Sequence, residues 1–191
     1  MRKSIAIILL STALVGCAAQ ARSDVQAVDA SALAADNKSG EYRLDTGDRV
    51  NIVVYGEETL SGEQLVGADG TVTMPLIGNI PARGVTPREL AAKMQTKLAD
   101  GFFQNPSVTV SMVAYRPFYI LGEVNQPGQY EYAVGMTVRD AVARAGGYTY
   151  RAQQKQVLLK RAGSEQEVKV RLDKDLPIQP GDTIRIVERY F

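Results

Sequence analysis

The chain has 191 residues, with 22 basic and 21 acidic side chains, one cysteine, no histidine and no tryptophan. These counts exclude Ser-His-Asp and Cys-His nucleophilic systems and His-ligated zinc, and a bulk charge near zero gives no sign of a nucleic-acid partner. With a single cysteine no disulfide closes within the chain, so apolar burial must supply the stability.

At the N-terminus Arg2 and Lys3 precede an apolar run over residues 5–15, closed by Leu14-Val15-Gly16-Cys17. Eleven residues at about 1.5 Å each fall short of a hydrocarbon core of about 30 Å, so the run reads as a signal and not as a membrane span. Small residues directly before a lone cysteine are what a bacterial lipoprotein signal peptidase recognises. Residues 1–16 are expected to be removed and Cys17 to carry three acyl chains, palmitate among them, more than the two hydrophobic signals that hold a protein on a membrane. Ala18 in place of an aspartate favours sorting to the outer membrane, on its periplasmic face. Residues 17–40, rich in Ala, Ser, Gln and Asp, are read as a flexible tether.

Folded structure is expected from Glu41. Tyr42-Arg43-Leu44-Asp45-Thr46-Gly47-Asp48 is a turn-rich approach to a β-branched strand at 50–54. Ala68-Asp69-Gly70 between apolar runs at 65–67 and 71–74 signals a hairpin, and residues 75–80 read as extended chain with a kink. Thr86-Pro87-Arg88-Glu89 combines an N-cap hydroxyl, a proline at the first helical position and a capping-box glutamate, and Leu90, Ala91, Met94 and Leu98 follow at helical spacing up to Gly101. Residues 108–112 alternate as a half-buried strand. From Arg116 a second unit supplies strands at 118–124, 129–132, 157–159, 168–170 and 184–187, with a helix opened by Thr137 and stopped by Gly146-Gly147. The fold class is α+β, with two small mixed domains at 41–115 and 116–191. Two echoes join them: Gly84-Val85-Thr86 with Gly135-Met136-Thr137, and Gly47-Asp48-Arg49-Val50 with Gly181-Asp182-Thr183-Ile184. Their unequal separations exclude a solenoid, and each echo reads as one local solution used twice.

This ordered set resembles the polysaccharide export outer-membrane lipoproteins of the Wza type. The first unit is similar to their polysaccharide-export domain through Tyr42 to Asp48, Asp69-Gly70-Thr71-Val72-Thr73-Met74-Pro75-Leu76-Ile77-Gly78, and Gly84-Val85-Thr86; the second resembles a β-grasp-like SLBB domain through Gly122-Glu123-Val124-Asn125-Gln126-Pro127-Gly128 and Ala145-Gly146-Gly147. The resemblance implies an oligomeric ring, commonly an octamer, through which capsular polysaccharide or exopolysaccharide leaves the cell. It implies an inner-membrane polysaccharide co-polymerase as partner. It matches Cys17 to lipidation, and Asp48, Asp69, Gly70, Pro75, Gly78, Gly122, Pro127 and Gly128 to motif positions whose chemistry is that of turns and framework. No cofactor is expected, and no Gly-rich phosphate loop with Lys-Ser/Thr occurs in the sequence. The residues after the last strand resemble the short, GumB-like members, so a separate outer-membrane β-barrel partner is expected for the final crossing. Phe191 reads as the aromatic end of an edge strand.

Three further features bear on mechanism. Residues 41–115 carry six basic and nine acidic side chains, residues 116–191 twelve and nine, so neighbouring copies in a ring have opposite charges to offer one another. Tyr130, Tyr132, Tyr148 and Tyr150 are read as core or rim packing in preference to sugar stacking. Glu57, Glu58, Glu63 and Asp69 are close in sequence but occupy polar loops, which argues solvation over a catalytic carboxylate pair and against an enzyme. A monomeric glycan- or peptidoglycan-binding module is the alternative to a transport ring.

Overall fold

A computed structural model of the chain describes residues 27–28, 41–172 and 175–189. Cys17 and Phe191 lie outside the described residues. The first unit begins with strand β2 (Arg49–Val54), where Val50, Ile52 and Val54 point inward and Arg49 and Val53 outward, the alternation expected of a sheet with one buried face. It pairs antiparallel with β3 (Gly62–Leu65) on one side and β6 (Val108–Ala114) on the other. A second, two-stranded sheet is formed by β4 (Thr71–Met74) and β5 (Gly78–Pro81).

Helix α1 (Pro87–Ala99) starts as its sequence dictates. The Thr86 hydroxyl accepts the Glu89 N–H while the Glu89 carboxylate accepts the Thr86 N–H, and Pro87 stands where no intrahelical donor is needed. Leu90, Met94 and Leu98 are fully buried against the sheets, at about 1.5–3 kcal/mol each for the apolar surface removed from water. Gly101, at φ 88°, ends the helix.

The second unit is a six-stranded sheet. Its strands are β1 (Ala27–Val28), β7 (Phe118–Gly122), β8 (Gly128–Tyr130), β9 (Gln156–Lys160), β10 (Glu167–Arg171) and β11 (Thr183–Ile186), in the order β1-β10-β9-β11-β7-β8. Strands β7 and β11 run parallel, and β9 is antiparallel to β11 and β10. Helix α2 (Val138–Arg144) contributes Val138, Ala141 and Val142 to the core with Phe118, Ile120, Leu159 and Ile184. It uses the same reciprocal cap, from Thr137 and Asp140. The α+β architecture of two mixed domains is therefore observed, with separate cores.

One local expectation is corrected, and one short strand is added. The hairpin centred on Asp69-Gly70 does not form a ladder between 65–67 and 71–74. Instead β3 pairs with β2, and the tight hairpin is β4–β5, turning at Pro75, Leu76 and Ile77, where extended chain is expected from sequence. Leu76 there adopts φ 70°, a conformation whose unfavourable sterics for a non-glycine residue the β4–β5 ladder must hold in place. Asp69-Gly70 makes a connector: the Asp69 carboxylate accepts the Thr71 N–H and hydroxyl, and the Gly70 carbonyl accepts the N–H groups of Ala82 and Arg83. The added strand lies within residues 17–40. Ala27–Val28 form a strand parallel to β10, in register with Lys169 and Val170. The open edge of β10 offers unpaired backbone groups that any extended segment can satisfy, whatever its side chains.

Among the motif glycines, Gly122 is the most constrained. At φ 85° it lies where an added Cβ would sit 2.0 Å from the Ile186 carbonyl oxygen, at the parallel β7–β11 pairing. Gly122→Ala is expected to destabilise the second domain by about 3 kcal/mol or more, strain and overlap combined. Urea unfolding monitored by circular dichroism checks this, and an unchanged midpoint excludes it.

Candidate functional site

The two domains meet at the linker Tyr115-Arg116-Pro117, and the meeting is built from the two echoed Gly-Asp turns. In the first, the Asp48 N–H donates to the Asp45 carbonyl at 3.1 Å, and Asp48 Oδ2 accepts the Asp45 N–H at 2.8 Å. In the second, the Asp182 N–H donates to the Gln179 carbonyl at 3.2 Å, and Asp182 Oδ2 accepts the Gln179 N–H at 2.8 Å. Each aspartate is fully buried and closes its own turn, with Gly47 and Gly181 supplying positive φ before it.

Both turns flank Arg116. Its backbone N–H donates to Asp48 Oδ1 at 2.8 Å, and its Nε donates to the Pro180 carbonyl at 3.0 Å. Its Nη1 stands 2.8 Å from Asp45 Oδ2, close enough for an ion pair though not aligned as a hydrogen bond. Thus one residue ties the first-domain turn through its main chain and the second-domain turn through its side chain. Asp182 is completed by Arg161, whose Nη1 donates to Oδ2 at 2.6 Å. Burial holds the Asp182 carboxyl above the ordinary carboxylate range, with Arg161 opposing the shift.

An aromatic row runs along the same seam. Tyr42 meets Tyr115 edge-on at 4.9 Å, and Tyr115 meets Tyr132 of the second domain at 5.5 Å. The Tyr42 hydroxyl donates to Asp48 Oδ2 at 2.6 Å, and burial together with that carboxylate pushes its pKa up. Tyr130, Tyr132 and Tyr148 pack against the second core as partly buried side chains, whereas Tyr150 is 83% exposed.

The remaining motif residues are distributed around the framework and do not converge on one point. Pro75 and Gly78 bracket the β4–β5 turn, Gly78 at φ 67°; Asp69 and Gly70 sit at the connector beside Arg83; Pro127 and Gly128 turn the chain into β8. Glu57, Glu58 and Glu63 are not gathered with Asp69 by any hydrogen bond or ion pair described; Glu63 pairs with Arg49, and Asp69 with Thr71. Among the described residues no group of three or more His, Cys, Asp or Glu could hold a metal ion, and no helix is long and apolar enough to cross a membrane. Sequence reasoning missed Arg116. Its signal was an arginine ahead of a proline, in extended chain, between the two domains.

One concave surface lies on the outer face of the six-stranded sheet. A cleft of about 580 Å³ there is lined by Leu158, Lys169, Arg185 and Glu188 with the Gln153 and Gln156 amides.

Residues 36–113 match the family model "Polysaccharide biosynthesis/export protein", and residues 116–186 match the SLBB domain. The chain belongs to the polysaccharide biosynthesis/export family. The boundary between the two matches falls at the Arg116 linker. Similar proteins include the exopolysaccharide production protein ExoF of Rhizobium meliloti, 37% identical over 122 residues, which are 58% of this chain and 29% of that one. The polysialic acid transport protein KpsD of Escherichia coli is 27% identical over 109 residues, 56% of this chain and 20% of KpsD. The family member described here thus spans less than a third of the length of these curated relatives.

The seam gives an alkaline signature. Because the Tyr42 pKa is raised on folding, its contribution is fully present below the ordinary tyrosine value of 10.0 and is lost as pH rises above it through the folded value. Tyr42→Phe is expected to cost about 1 kcal/mol at pH 7, through the lost hydrogen bond to Asp48. The deficit relative to the unmodified chain should shrink above pH 10. Denaturant unfolding at pH 7 and pH 10.5 measures both, and a deficit that does not change with pH counts against the assignment.

Proposed function

We propose that this protein is a lipid-anchored, outer-membrane component of a capsular-polysaccharide or exopolysaccharide export channel, working from the periplasmic face as an oligomeric ring. The observation that carries the reading is the succession of an export domain and an SLBB domain, each with its own core, locked at one linker residue. Such a joint suits a ring wall, since two domains that hold one mutual orientation present fixed surfaces to neighbouring copies. The relatives' names, exopolysaccharide production and polysialic acid transport, support a long glycan as the cargo. An inner-membrane polysaccharide co-polymerase is the proposed partner on one side, and a β-barrel is the proposed partner for the outer-membrane crossing.

The proposed role is conduction and docking, not bond-making. A hydrated polymer in transit must be released at every step, so weak and repeated polar contacts serve it better than one tight site. Lipid at Cys17 supplies the address, and the signal in residues 1–16 delivers it.

Two measurements test this. Deletion should abolish extracellular polysaccharide while leaving polymer inside the cell envelope; normal export in the deletion strain would sink the reading. Cys17→Ser should leave both domains folded but shift the protein from the outer-membrane fraction to the soluble periplasm. Unchanged membrane association on fractionation would show that lipid is not the anchor.

A further inference from the structure

We propose that copies of this chain meet head to tail, with the Tyr55–Glu58 turn of one copy's first domain seated on the basic outer face of the next copy's second domain. This rests on the assembly reading above and specifies the contact.

The receiving face is set by strand register. Lys169, Leu158, Arg185 and Leu121 stand opposite one another across β10, β9, β11 and β7, and the next row is Glu167, Lys160, Thr183 and Tyr119. Their neighbours along each strand, such as Leu159, Ile184 and Ile120, point into the core with α2, so this row structure belongs to the face opposite the helix. Tyr119 is 41% exposed and Leu121 43%. Arg185 pairs with Glu167. Lys160, Lys169 and Arg171 have no acidic partner among the described residues, which leaves three uncompensated cations around an apolar strip and the cleft of about 580 Å³.

The first domain presents the complementary chemistry. Tyr55 is 85% exposed at the end of β2, and Glu57 and Glu58 follow it without a basic partner among the described residues. The turn is held in shape before any contact: Ser61 Oγ donates to the Glu57 carbonyl at 2.8 Å and accepts the Val54 N–H at 2.9 Å. A pre-formed aromatic beside two carboxylates suits a cleft floored by Leu158 and rimmed by Arg185 and Lys169, since tyrosine and arginine anchors dominate protein contacts and a fixed turn loses little entropy on docking.

The occupant must come from another molecule. Asp48 lies at the domain junction, and β2 carries the chain from Arg49 to Tyr55 away from it, about 20 Å at strand rise. The turn therefore sits at the end of the first domain remote from its own second domain. A patch of one kind meeting a patch of another makes a heterologous contact, which closes into a ring when the rotation between copies allows it.

The experiment uses the full-length chain in detergent, with native mass spectrometry and sedimentation velocity. E57K/E58K and K169E/R171E are each expected to raise the concentration for half-assembly by about tenfold or more, because like charges then face one another. An equimolar mixture of the two should reassemble, since every turn then meets a face of opposite sign. Tyr55→Ala, which changes no charge, should weaken assembly to a similar degree, and circular dichroism confirms that each variant is folded. Assembly that ignores the reversals overturns this contact and leaves the ring reading standing. Folded variants that both fail alone and do not rescue each other also overturn it, as does K169E/R171E losing only retention of an anionic glycan. An unmodified chain that stays monomeric at all concentrations overturns both readings.

Discussion

Arg116 is the residue on which the arrangement of the two domains depends. It is bound at its backbone by Asp48 and at its side chain by Pro180, so the linker belongs to both domains at once. Its guanidinium is mostly removed from solvent, which is tolerable only because Asp45 is beside it and a carbonyl accepts from Nε. Close packing leaves the joint little room to slip. A Cβ on Gly181 would stand 2.5 Å from Arg116 Nε, and one on Gly47 would touch the arginine Cβ at 3.6 Å. The glycines of both turns thus admit the arginine as well as bending the chain.

The two halves repeat their local physics without repeating their folds. Each uses an aspartate that accepts the N–H three residues back to feed a core strand, and each starts its helix with a Thr and an acidic residue capping one another. One half surrounds its helix with a three-stranded and a two-stranded sheet, while the other lays its helix on a six-stranded sheet. Chemistry at the seam follows from this reuse. Two turns of the same kind, facing one linker, bring two buried aspartates, two arginines and three tyrosines into a small volume.

The elements legible in the sequence were those whose signals are local. Thr86-Pro87-Arg88-Glu89 and Thr137-Val138-Arg139-Asp140 announce helix starts because the cap is made within four residues. Alternation at Val50, Ile52 and Val54 announces a strand because period two is set by the pleat. The β4–β5 turn was hidden because Leu76 holds positive φ, which nothing about leucine suggests, while Asp69-Gly70 nearby has stronger turn chemistry. Arg116 was hidden for another reason: its partners Asp48 and Pro180 are 68 and 64 residues away, and no spacing rule reaches that far. The motif residues from Asp48 to Gly128 stand at turns and strand ends.

The short strand at Ala27–Val28 changes how the chain carries load. A pull from its N-terminal side reaches the six-stranded sheet through β10 before it reaches the first domain, because Ala27 and Val28 are registered on Lys169 and Val170. Two residue pairs on a sheet edge are a weak link beside the five that join β10 to β9. Under tension at Ala27 this link opens before the ladder between β10 and β9. The strand acts as a mechanical fuse: it gives way before the core of the second domain is stressed.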